Sequence, residues 1–194
     1  MLRIFYSGAK TAQGPQLNPN QSLGGFVSST ELVNGLNNLF GTLSRLTLQT
    51  NKPQVRAIVL TNTGTTTISS FKAFFTDTTG QNSDEFDDSY CEFELQYVNL
   101  ILDSCGSPIF PYSVTNDYQS PLGVTFIANC YNLTNALQLP DLEPDMSIGL
   151  WIKRKIKSTA LEPLSDETLK AISEGSLILP IEENIDLTFD WIDI

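Results

Sequence analysis

The chain contains no histidine. That absence excludes a Ser-His-Asp triad, a Cys-His dyad, His-ligated zinc and any imidazole acting near neutral pH. Cysteine is scarce: Cys91, Cys105 and Cys130 form no CxxC pair and make an odd count, which argues against a zinc ribbon and a dense disulfide framework. They read as reduced thiols that pack like small hydrophobes, with a Cys91–Cys105 bridge as the alternative. No apolar run approaches the roughly 18 residues of a membrane-spanning helix. The opening MLRIFYSGAK has only a short apolar stretch where a secretory signal needs about 7–15 residues. Neither a membrane partner nor Sec-type export is expected.

Bases are missing from the middle of the chain. Residues 84–147 carry eleven acids and no Lys or Arg, whereas the first 83 residues carry six bases against Glu31 and Asp77. From residue 148 onward there are five bases and nine acids, and the whole chain has a net charge of −11. Binding to nucleic-acid phosphates rests on clustered Lys and Arg, so no nucleic-acid partner is expected. The asymmetry suits protein partners, with a basic region of one copy meeting an acidic region of the next; the plain alternative is a solvated acidic face.

What is present suffices for one core. With 194 residues, 41% of them hydrophobic, the chain fits one domain, or one domain with an arm. Residues 1–53 read as an extended N-terminal arm: Thr11–Ser22 is polar and broken by Pro15 and Pro19, and Leu36, Leu39, Phe40 and Leu43 have the spacing of a short helical turn. Residues 54–194 read as a β domain. Gln54–Thr61 and Thr67–Phe75 look like consecutive antiparallel strands about Asn62-Thr63-Gly64, with further strands at Cys91–Leu102, Leu122–Ala128, Ile148–Lys157 and Ile185–Ile192. This spacing points to a Greek-key sandwich. Pro163–Glu174 predicts a helical insertion, with Ser165 as N-cap and Gly175 beyond its end.

Few constellations carry chemistry. Asp84-Glu85-Phe86-Asp87-Asp88, followed by Glu92 and Glu94, is acidic enough for a hard cation but lacks the D-x-D-x-D-G spacing, and reads first as a solvated loop. The same acids would serve a glycosidase only if two of them faced each other across a cleft. In Leu150–Lys157, Trp151, Lys153, Lys155 and Lys157 share one face, while Leu150, Ile152, Arg154 and Ile156 share the other. The lysines read as guards of an edge strand or as a dock for an acidic neighbour. Trp151 and Trp191 read as structural. Asn132-Leu133-Thr134 fits the glycosylation pattern, read as chance without an export signal.

Two stretches together resemble a group of small tailed-bacteriophage virion proteins. The first is Ser22-Leu23-Gly24-Gly25-Phe26-Val27-Ser28-Ser29 with Asn37-Asn38-Leu39-Phe40 and Val55–Gly64, and the second is Ile148–Ile156, so that residues 20–75 and 145–160 are covered. The resemblance implies an extended N-terminal segment leading into an immunoglobulin-like β-sandwich, and brings no active residue. It implies a non-enzymatic virion component of the neck, tail or outer capsid, made in the host cytoplasm, without a cofactor or metal. Expected partners are other virion proteins and copies of the chain itself in a ring or other homo-oligomer. The candidate assembly residues are Leu23, Gly24, Gly25, Phe26, Leu39 and Phe40 in the arm, with Lys153, Lys155 and Lys157 facing Asp84, Asp87 and Asp88 of a neighbour. Two rival readings remain open: a carbohydrate- or receptor-binding sandwich stacking sugars on Tyr112, Tyr118 and Tyr131, and a carboxylate-based hydrolase.

Overall fold

The computed structural model describes residues 1–33, 39–40, 52–77, 91–156 and 185–194. The expected helix at Pro163–Glu174 lies outside them, as does most of the helical turn around Leu36–Leu43. The described chain is mainly β, folded as two antiparallel sheets, the larger of which is a curled half-barrel. Eleven strands are described: β1 (Leu2–Ala9), β2 (Gly24–Glu31), β3 (Gln54–Asn62), β4 (Ile68–Asp77), β5 (Cys91–Asn99), β6 (Ile101–Leu102), β7 (Pro108–Ser113), β8 (Ile127–Ala128), β9 (Leu137–Gln138), β10 (Ser147–Ile156) and β11 (Ile185–Asp193). The larger sheet has the order β6-β7-β2-β1-β3-β10-β5-β8, and the smaller one the order β11-β4-β9.

The central strands are apolar on both faces because each face covers a different core. Along β3, Ile58 and Leu60 join Ile148, Leu150 and Ile152 of β10 in the main core, which Phe71, Ala73 and Phe75 of β4 close from the small sheet. Their alternate neighbours Val55, Ala57 and Val59 point the other way and pack with Trp151, Leu23, Phe110 and Val114. Strands buried on both faces lose the alternation of apolar and polar residues seen in half-exposed strands. The run VRAIVL is therefore the signature of a central strand. Curling brings β7 across to β10: a Cβ at Gly149 would lie 2.5 Å from the Phe110 ring, so this position of β10 admits only glycine unless the ring moves.

Residues 1–33 are not the detached arm expected from sequence. β1 lies between β2 and β3, paired with β3 from Leu2↔Asn62 to Tyr6↔Ile58 and with β2 through Phe5↔Glu31 and Ala9↔Phe26. Leu2, Ile4, Phe5 and Tyr6 are too few to form a core alone, but here they add to cores supplied by β3, β4 and β10. Even the Pro-rich connection between β1 and β2 is tied down. Asn18 caps the 3-10 turn Pro19–Gln21, and Gln16 accepts through its Oε1 from Asn18 and donates through its Nε2 to the Gly8 carbonyl.

Nor do β3 and β4 form the expected hairpin. The link between them passes from one sheet to the other, and buried Asn62 fixes it: its Nδ2 donates to the carbonyls of Thr66 (2.7 Å) and Leu142 (2.9 Å), and its Oδ1 accepts from the Gly64 amide. β10 is no edge strand either, since β3 and β5 flank it on both sides.

Candidate functional site

Two segments far apart in sequence, Ser22–Gly25 and the strand holding Trp151, meet in space. Buried Ser22 donates from its Oγ to the Ala57 carbonyl and accepts from the Ser7 amide at 2.9 Å; the Ser7 Oγ also donates to Ala57 O at 2.7 Å and accepts from the Gly24 amide at 3.0 Å. Two buried hydroxyls thus satisfy backbone groups where β2 begins, as burial of polar groups requires. Gly24 has φ +84° and is pressed against β7 and Trp151, a Cβ there lying 2.6 Å from the Tyr112 carbonyl oxygen. Trp151 fills the centre of this cluster, fully buried and edge-on to Phe110 at 5.7 Å. Leu23 and Gly24 therefore belong to the chain's own interior and offer no surface to a neighbour; Gly25 and Phe26 are half-buried in β2.

Leu39 and Phe40 serve a second internal cluster, at the start of β3. Arg56 is held at five points: its Nε donates to the Leu39 carbonyl, Nη1 to the Val55 carbonyl and to Asp117, and Nη2 to Asn20 Oδ1 (2.7 Å) and Asp117. The Phe40 ring lies 5.3 Å from the Arg56 guanidinium and 4.8 Å from that of Arg154, and meets Phe93 edge-on. Gln54 joins the pair by donating to Asp117 and accepting from Arg154. Burial pushes the Arg56 guanidinium below its ordinary value, against the charge and hydrogen bonds of Asp117. Both arginines of this cluster are buried, so they act as internal ties between connections.

Lys153 and Lys155 also find their partners within the chain. Register sets Lys153 opposite Glu94 and Lys155 opposite Glu92 on β5. Lys153 Nζ reaches Glu94 at 2.8 Å and lies 5.2 Å over the Phe126 ring, while Lys155 Nζ reaches Glu94 at 2.6 Å and Glu92 at 3.1 Å. The expected pairing of these two lysines with acids of a neighbouring copy is thus replaced by a ladder across strands, the shortest route to neutrality for charges fixed on one sheet face. Lys157, Asp84, Asp87 and Asp88 lie outside the described residues. Among the described residues no group of three or more His, Cys, Asp or Glu side chains is placed to hold a metal ion.

The ladder makes stability depend on pH. Burial pushes the Glu94 carboxyl upward, but the hydrogen bonds and charges of Lys153 and Lys155 outweigh it and hold it below the ordinary value; bonding to Glu94 raises Lys155 in turn. A depressed carboxylate contributes stability that is present above its unfolded pKa of about 4.3 and lost as pH falls through the folded value. The raised lysine contributes stability that is present below about 10.4 and lost as pH rises through its folded value. Glu94→Gln is expected to lose about 1.5–3 kcal/mol at pH 7, since hydrogen bonds to charged groups are worth that much. Urea midpoints of both proteins should converge as the pH is lowered towards 3.

The other sequence candidates are dispersed. Tyr131 is buried in the main core with its hydroxyl accepting from the Phe93 amide at 3.1 Å, which removes it from any sugar platform, while Tyr112 is exposed and Tyr118 half-exposed. Cys91 and Cys130 are buried, and Cys105 is exposed in the turn between β6 and β7. Burial pushes the Cys130 thiol upward, away from reactivity. Trp191 departs from expectation: it is 37% exposed on β11, meeting Phe71 only edge-on. Sequence reasoning missed Ser7 and Asp117, whose importance comes from partners 15 to 63 positions away.

Among the described residues no helix is long and apolar enough to cross a membrane. No family model matches the chain, and neither the curated proteins nor the solved structures yield a match.

Proposed function

We propose that the chain is a non-enzymatic structural protein of a tailed-bacteriophage virion, working by assembly with copies of itself and with other virion proteins. The observation that carries this reading is the meeting of Ser22–Gly25 with Trp151, which makes the two separated stretches of the resemblance into one packed unit. The body is taken as a variant of the immunoglobulin-like sandwich, supported by two antiparallel sheets packed face to face over Ile58, Leu60, Phe71 and Phe75. The contact surfaces are taken to be the apolar side chains left at the sheet margins, such as Ile101, Leu102 and Ile127, all about half exposed or more. The buried charges favour a structural role over catalysis, since Glu94 is held ionised instead of being raised towards a general acid.

Sedimentation velocity of the full chain over a wide concentration range tests the proposal. A discrete oligomer growing with concentration, followed by electron microscopy of closed rings, is expected. A monomer at every concentration, alone and mixed with extracts of infected host cells, overturns it.

A further inference from the structure

The outer strand of the small sheet differs from every other sheet margin. β11 pairs with β4 from Ile185↔Asp77 to Asp193↔Ile68, and no strand lies on its other side among the described residues. The margins of the large sheet, β6 and β8, are two residues long, whereas β11 has nine. Alternate backbone N–H and C=O groups of such a strand point away from its only neighbour. Proteins usually blunt a long edge with lysine, proline or brevity. The sequence of β11, IDLTFDWID, contains no lysine and no proline, and its only charges are acids.

The side chains select what fits beside it. Leu187 and Phe189 pack on the main core, while Asp190, Trp191, Ile192 and Asp193 are exposed, Ile192 by 58%. A bulge aids this presentation: Ser70 of β4 takes φ +52°, and the register slips between Asp190↔Lys72 and Ile192↔Ser69, leaving Trp191 at the slip.

We propose that the edge of β11 left unpaired among the described residues docks an extended segment of a partner protein carrying Lys or Arg at alternate positions, added as the next antiparallel or parallel strand. Charge complementarity decides the occupant. Asp190 and Asp193 are exposed, and the base nearest Asp190 in register, Lys72, sits on the inner side, on β4. A second copy of β11 would set further acids beside these, and like charges on adjacent strands oppose pairing. The chain's net charge of −11 adds to that repulsion. Asp190 and Ile192 share one face of β11, so in a basic strand the aliphatic stems of lysine or arginine cover Ile192 while a head reaches Asp190. Main-chain hydrogen bonds supply the affinity, and the charges supply the choice. The inference rests on the β11 edge alone and holds whether or not the chain oligomerises or belongs to a virion.

Amide hydrogen exchange of the full chain by NMR tests it, with a capped eight-residue peptide alternating Lys and Val as probe and one alternating Glu and Val as control. At saturating Lys-Val peptide, alternate amides of β11 are expected to slow by about tenfold or more, since a new strand protects one edge. The Trp191 indole resonance is expected to shift and that of Trp151 to stay. The Glu-Val peptide is expected to do neither, and the double variant Asp190→Lys, Asp193→Lys to reverse the preference. Equal protection by both peptides overturns the charge selection. No protection by either overturns the edge site, and protection in the free chain that grows with its concentration assigns the edge to a second copy instead.

Discussion

Trp151→Ala is expected to cost about 3–5 kcal/mol, the range for deleting a fully buried large aromatic. The side chain has no exposed surface, touches Phe110 edge-on, and faces the spot where Gly24 has no Cβ. Its removal would leave a cavity walled by Val55, Ala57, Val59 and Leu23, on strands that cannot close in because β3 is also packed on its other face. The indole Nε1 has no hydrogen-bond partner among the described residues, and an unpaired buried donor costs about 1–3 kcal/mol. Trp151→Phe removes that donor along with volume, so its net cost should be clearly smaller than that of the alanine variant. Trp191→Ala, at the exposed edge, should stay within about 1 kcal/mol. Urea unfolding at pH 7 with unchanged m-values checks the set; a Trp151→Ala midpoint equal to that of Trp191→Ala would contradict the two-sided core.

Asp117→Ala is expected to cost about 3 kcal/mol, because breaking a buried pair strands the remaining charge. Arg56 is 1% exposed, and Asp117, 20% exposed, accepts from both of its terminal nitrogens and from Gln54. The cost belongs to the orphaned cation, so Arg56→Met placed on Asp117→Ala should restore part of the stability, and the double variant should be less destabilised than the sum of the singles. Additive losses in denaturant midpoints would show instead that each residue acts through separate contacts. Asp117→Asn, which keeps an acceptor but no charge, should fall between wild type and alanine.

The strands legible from sequence were those rich in β-branched or aromatic residues. Gln54–Thr61, Ile148–Lys157 and Ile185–Ile192 match β3, β10 and β11 to within a residue or so at each end. β1 and β2 were not legible, because Ser7 and Ser28 occupy buried positions that a pattern reader expects to be apolar, and because the link between them is rich in Pro, Asn and Gln. Those serines are buried because backbone groups meet their hydroxyls: distant Ala57 O for Ser7, and the amides of Gln16, from the preceding link, and of neighbouring Thr30 for Ser28. The two faces of β10 follow the sequence pattern, with Trp151 and Lys153 on one and Leu150, Ile152 and Arg154 on the other, because a strand's period of two is a local property.

What those faces meet is not local. A β-rich chain without imidazole chemistry, the positions of its strongest strands and the sidedness of β10 are all readable from the residues alone, since each follows from residue chemistry and backbone period. Tertiary packing is what brings β1 into the sheet, parts β3 from β4, sets Lys153 and Lys155 against Glu92 and Glu94, and leaves one edge of β11 unpaired among the described residues. The physical reason is that a strand's ladder can pair with any strand of suitable length. The choice among partners is made by which arrangement buries both faces of β3 and β10 at once, a condition that no segment states alone.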